Sequence, residues 1–224
     1  MKRGTTLAPP MPHLSTLFSL ITVVSVALLL AVTRRGPSLG ERVLKPLAST
    51  AFIAAALAHG AHRTPYGAAI LAGLAFSWWG DVLLISRAKR VFLAGLVAFL
   101  LGHVAYSVAF ARRGVSVGAT ALALLLLLGP LVLVGRWLLP SVEARMRAPV
   151  LAYMAVITVM VALAVGTVAA HGEPWVLVGA VAFYLSDLSV ARDRFIAPGW
   201  NNKLWGWPLY FGAQLVLAWC AGRP

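Results

Sequence analysis

Carboxylates are scarce in this chain: six Asp and Glu stand against nineteen Lys and Arg, and only 11% of the 224 residues are charged. A soluble domain carries about 25% charged residues, so this shortage, with 61% hydrophobic residues, excludes a soluble globular protein. Cysteine is represented by Cys220 alone, which excludes an internal disulfide. No Cys or His spacing suggests a metal site, so no metal is expected. The net charge of +13 would point to nucleic acid in a soluble chain. Here the basic residues gather in short segments between apolar runs, the pattern that sets topology in membrane proteins, and no nucleic-acid partner is expected.

What the chain does have is long apolar runs. A spanning helix needs about 20 mainly apolar residues, and eight stretches qualify: residues 14–32, 44–59, 66–86, 92–111, 119–139, 148–170, 174–191 and 203–221. The second is short unless Lys45 snorkels toward the headgroups. The first follows Lys2 and Arg3 but is longer than a signal-peptide core and lacks a small-x-small cleavage pattern, so it reads as an uncleaved helix. Connections are short throughout. The expectation is an all-α integral membrane protein, one polytopic domain over residues 1–224 with eight transmembrane helices. Thirteen of the nineteen basic residues fall in the odd-numbered loops, which predicts those loops cytoplasmic and both termini outside a multipass cell (inner) membrane protein.

Two of the six acids lie inside apolar helices. A charged side chain at the bilayer centre costs about 2.5 to 3.5 kcal/mol on insertion scales, and such residues mark functional sites by default. Asp81 lies five residues before the predicted inner end of helix three and Asp187 four before that of helix seven. At a rise of 1.5 Å per residue both sit about 6 to 8 Å inside the same boundary. Lys45, Tyr153 and Tyr210 fall near that level; His103 and Tyr106 lie deeper. Polar residues three or four apart share a helix face, and Ser77 with Asp81, His103 with Tyr106, Tyr184 with Asp187, and Trp207 with Tyr210 form such stripes. Together they predict one polar cavity lined by carboxylates from both halves of the chain. The 106-residue offset between the aspartates suggests a four-plus-four parallel internal repeat.

At these residues the chain resembles a known family. Lys45-Pro46, Gly80-Asp81, Gly102-His103 with Tyr106, Ser186-Asp187 and Trp207-Pro208-Leu209-Tyr210 occur in the order, and at the helix positions, of the YhhN-type lysoplasmalogenases. The resemblance runs from the first helix to Ala221. It implies a multipass enzyme that hydrolyses the vinyl ether bond of lysoplasmalogens to a fatty aldehyde and a glycerophospho-alcohol, with Asp81 and Asp187 central to activity and no cofactor required. Protonation of the alkene makes an oxocarbenium ion, so one protonated and one ionised carboxyl would serve, as in glycosidases. On this reading Asp81, preceded by Trp78 and Trp79, is the acid, and Asp187, near Ser186 and Arg192, stays ionised. Supporting roles fall to His103, Tyr106, Tyr184, Ser186, Tyr210, Lys45 and Trp207, and a phosphate-holding mouth to Lys45, Arg87, Lys89, Arg90 and Lys203. The rival reading is a proton- or cation-coupled transporter using the same two acids.

Overall fold

A computed structural model describes residues 11–34, 36, 39–86 and 88–222. These residues fold into eight α-helices: α1 (Pro12–Thr33), α2 (Leu39–Ala58), α3 (Pro65–Leu83), α4 (Lys89–Arg113), α5 (Val117–Leu138), α6 (Ala144–His171), α7 (Trp175–Phe195) and α8 (Trp200–Cys220). Among the described residues there is no strand. Most helices run beyond the hydrophobic stretches that predict them. α2 begins five residues earlier than expected and takes in Glu41 and Arg42; α7 continues through Arg192 and Arg194. Charged residues end an apolar run without ending a helix, because backbone hydrogen bonding continues in the headgroup region. α3 instead stops early, at Leu83, and residues 84–86 form a turn.

Start signals follow local chemistry. Thr64 caps α3, its hydroxyl accepting from the Gly67 amide at 2.9 Å, with Pro65 at the first helical position. Ser116 caps α5 in the same way. Within the helices, hydroxyls such as Thr22, Thr33, Ser107 and Thr158 donate to the carbonyl one turn back, which satisfies them where no water competes.

Polarity is inverted relative to a soluble fold. Leu122, Leu125, Leu126, Leu128 and Leu133 of α5 are exposed, whereas Ser15, Thr22, Ser49, Thr158, Asn202 and Gln214 are buried. Lipid accepts the leucines, and the small polar side chains hydrogen-bond inside. Five helices, α1, α4, α5, α6 and α7, are long and apolar enough to cross a membrane, and the protein is a multipass membrane protein. The other three are of similar length but carry polar residues: Glu41, Arg42 and Lys45 on α2, Ser77 and Asp81 on α3, and Asn202, Lys203 and Gln214 on α8. Glu41, Lys45, Asp81, Asn202 and Lys203 among them line the cavities of the site.

Successive helices pair as hairpins, α1 with α2, α3 with α4, α5 with α6 and α7 with α8. The hairpins are then stitched across the chain, α4 against α6 and α8 against α2 and α3. Close approach of α8 to α7 depends on Gly206, where a Cβ would meet the Ser189 hydroxyl.

Candidate functional site

Asp81, near the C-terminal end of α3, is almost completely buried, at 1% exposed. Its side chain is met from two other helices. From α2, the Lys45 ammonium lies 3.2 Å from Oδ1 and the Ser49 hydroxyl donates to Oδ2; from α8, the Tyr210 hydroxyl donates to Oδ2 at 2.6 Å. Lys45 also donates to the Asp81 backbone carbonyl at 3.3 Å. The lysine therefore does not snorkel as its sequence position suggests. Pairing with a buried carboxylate outweighs the reach to the headgroups, since either charge left alone inside would cost several kcal/mol.

Asp187 lies on α7 and its side chain is 17% exposed. Tyr153 of α6 donates to its Oδ2 at 2.8 Å, and His103 Nε2 of α4 lies 3.3 Å from the same oxygen, off line for a hydrogen bond. His103 is fully buried and its other nitrogen, Nδ1, lies 2.7 Å from the Phe99 carbonyl oxygen. Its ring stacks against Phe183 at 4.3 Å between centroids and meets Tyr153 edge-on.

Both aspartates line one chamber, together with Lys45, Phe99, Ser186, Trp207 and Tyr210. The chamber opens two ways. Toward the loop end it shares Lys45, Leu84, Ser189 and Trp207 with a polar vestibule that also holds Glu41, Asp193, Arg194, Asn202 and Lys203. On its other side it shares Phe92, Leu96 and Asp187 with an apolar pocket between α4, α5, α6 and α7, lined by Leu138, Val150, Met154, Ile157 and Tyr184. That pocket holds a cavity of about 70 Å³, well below the ~300–1,000 Å³ typical of small-molecule sites. Phe92 and Val190 border all three spaces. Among the described residues no group of three or more His, Cys, Asp and Glu converges as metal ligands would.

The expected site residues divide into three groups. Asp81, Asp187, Lys45, Ser186, Trp207 and Tyr210 face the chamber and Tyr184 the apolar pocket. His103 and Tyr106 do not line it, contrary to expectation. His103 stands behind Asp187, while the Tyr106 hydroxyl donates to Gln214 at 2.5 Å, filling the space left by Gly73. The cationic mouth is also corrected. Lys89 turns outward to Glu143 at 2.8 Å, Arg90 is exposed away from the cavities, and Arg87 lies outside the described residues. Lys45 and Lys203 do face the vestibule. Arg192, expected near Asp187, instead donates to Asn202. Sequence reasoning gave no role to Ser49, Arg194, Glu41 or Asp193. Ser49 had a usable signal, standing four residues after Lys45 and so on its face; the other three looked like ordinary helix-end charges.

An all-helical bundle with apolar outside, polar inside, and a carboxylate from each half of the chain on one buried chamber defines a polytopic membrane protein with a polar core chamber. The chain belongs to the YhhN family, which it matches over residues 40–221, a stretch that contains both aspartates and every partner named above. It is 29% identical over 160 residues to a protein named Lysoplasmalogenase TMEM86A of Bos taurus, covering 69% of this chain and 65% of that one. To the Homo sapiens protein of the same name it is 30% identical over 173 residues, 72% of this chain and 70% of that one. The chain thus spans slightly less than two thirds of the bovine relative. No solved structure matches it.

Proposed function

We propose that this protein is a membrane-embedded hydrolase that cleaves the vinyl ether bond of lysoplasmalogens to a fatty aldehyde and a glycerophospho-alcohol, with Asp81 and Asp187 as its acid–base pair. The observation that carries the reading is the shared chamber: two carboxylates face it, with an apolar pocket on one side and a charged vestibule on the other. A lysolipid has the matching order of parts. Its alkenyl chain enters the pocket, its phosphate meets Lys203 and Arg194 in the vestibule, and the enol ether lies between the aspartates. The family and the names of the two relatives support the same substrate.

The chemistry follows from the bond. A proton is delivered to the alkene carbon distal to oxygen, the π pair forms the new C–H bond, and an oxocarbenium ion results. Water adds to that cation and loses a proton, and the hemiacetal collapses as its hydroxyl proton passes to the departing alcohol oxygen. A positioned acid supplies the first proton and nearby carboxylate charge stabilises the cation.

All eight helices cross the bilayer in this reading, with the odd-numbered loops cytoplasmic and both termini outside. The placement is supported by the common level of Lys45, Asp81, Asp187 and Tyr210 and by the basic residues gathered at that end. A four-plus-four repeat is supported by the packing: moving four helices along the chain turns the α4–α6 contact into the α8–α2 contact and α2–α3 into α6–α7.

Detergent-purified protein incubated with an alkenyl lysophospholipid is expected to release fatty aldehyde, and Asp81→Asn and Asp187→Asn are each expected to abolish it. Proteoliposomes that take up a solute with pH but make no aldehyde would replace the hydrolase with a transporter.

A further inference from the structure

We infer that the His103–Asp187 pair carries one added proton, and that Asp187, not Asp81, is the acid that protonates the alkene. The inference rests on the hydrolase reading and assigns the roles within it, reversing the assignment that the neighbouring tryptophans of Asp81 suggest.

The argument begins at the histidine's far nitrogen. Nδ1 lies 2.7 Å from the Phe99 carbonyl oxygen; a carbonyl only accepts, so Nδ1 carries a hydrogen. In the neutral ring Nε2 is then a lone pair, and it lies 3.3 Å from Asp187 Oδ2, with no hydrogen-bond partner among the described residues. Two acceptors facing each other in an apolar interior repel, and a buried acceptor left unmatched is costly. One added proton, on Nε2 or on the carboxyl, turns the repulsion into an attraction.

Asp81 has the opposite surroundings. The Lys45 ammonium, the Ser49 hydroxyl and the Tyr210 hydroxyl all point at its oxygens, the coordination of a carboxylate. Other titratable groups facing the His103–Asp187 pair are Tyr153 from α6, Tyr184 from α7 and, across the chamber, Lys45 from α2, Asp81 from α3 and Tyr210 from α8. Lys45 is the cation among the chamber's lining residues and is committed to Asp81.

His103 reaches no cavity, so it is a positioning residue that acts through Asp187. The Asp187 carboxyl lines the chamber and delivers the proton to the alkene carbon. Water that attacks the oxocarbenium carbon returns a proton to the pair and restores it, while Asp81 remains the fixed negative charge.

Two measurements test this. In the first, kcat and KM for the alkenyl lysophospholipid are followed against pH. His103→Asn is expected to lower kcat about 100-fold, within the range for acid–base assistance, with little change in KM, and to move the alkaline limb of the kcat profile to lower pH. Tyr153→Phe, which removes a bond donated to Asp187, should move the limb the opposite way, to higher pH, because the ionised carboxylate loses a donor. A His103→Asn enzyme with the wild-type limb overturns the inference. The second needs no activity: infrared difference titration of the whole protein with isotope-labelled histidine. The loss of a carboxylic-acid or imidazolium band on raising pH is expected in wild type and in Asp81→Asn, and is expected to be absent in Asp187→Asn. The reverse pattern overturns the assignment. A protein that passes this titration but makes no aldehyde refutes the substrate and leaves the proton pair standing.

Discussion

Asp81 and Asp187 are each held by the helix before their own hairpin and by one helix from the other half of the chain. Asp81 takes Lys45 and Ser49 from α2 and Tyr210 from α8; Asp187 takes Tyr153 from α6 and has His103 of α4 beside it. Four helices along, α2 becomes α6 and α8 becomes α4. The helices that supply these contacts correspond four places apart in chain order, while the chemistry they supply does not. A lysine and two hydroxyls make the first site closed and electrically balanced, whereas a tyrosine and an unmatched histidine nitrogen leave the second partly exposed. Two carboxyl groups on one chamber with such different neighbours are the arrangement by which environment can set two acids to different roles.

The sharpest way to break this comparison is to exchange what differs. Lys45→Ala leaves an uncompensated carboxylate in the interior and is expected to cost about 3–5 kcal/mol, read as a large fall in melting temperature in detergent. Adding Asp81→Asn to it should recover much of that stability without restoring aldehyde formation. Asp187→Asn is expected to abolish turnover yet leave melting close to wild type, since the buried lysine pairs with Asp81 instead; a melting loss equal to that of Lys45→Ala would erase the distinction between the sites. Tyr153→Phe removes one hydrogen bond to Asp187, worth about 0.5–1.5 kcal/mol, and should lower kcat about tenfold or more in the aldehyde assay. Tyr106→Phe loses the bond to Gln214 behind the chamber and should cost about 1 kcal/mol of stability with turnover unchanged.

The smallest effect belongs to the surface. Lys89 bonds Glu143 and holds its carboxyl below the ordinary glutamate range. A carboxyl lowered by folding contributes stability above its unfolded value and loses it as pH falls through the folded one. Lys89→Ala should therefore narrow the difference between neutral and acid melting temperatures slightly, and leave catalysis untouched.

Much of this architecture is legible in the chain. Eight apolar runs give the eight helices, because hydrocarbon demands that backbone groups be satisfied within each segment. The helix ends are not legible, since α2 and α7 continue through charges that the bilayer surface tolerates. Within the site, Asp81, Asp187, Lys45 and Tyr210 stand out as polar residues at one level of apolar helices. Arg194, Glu41 and Asp193 do not, because charges at helix ends are usual and only the folded vestibule gathers them.

His103 and Tyr106 mark the boundary between the two kinds of knowledge. Amino-acid order alone required that both be buried on α4 and lie on nearly the same face. Three residues of helix still turn the second side chain about 60° from the first, and which neighbour stands in each direction depends on how α6, α7 and α8 pack more than forty residues farther along the chain. So His103 meets an aspartate and Tyr106 a glutamine. Composition and periodicity settled that polar groups would be sealed inside a lipid-facing bundle, since lipid offers them no partner. Which of them meet was decided by the rotation and docking of whole helices, a property of the assembled core.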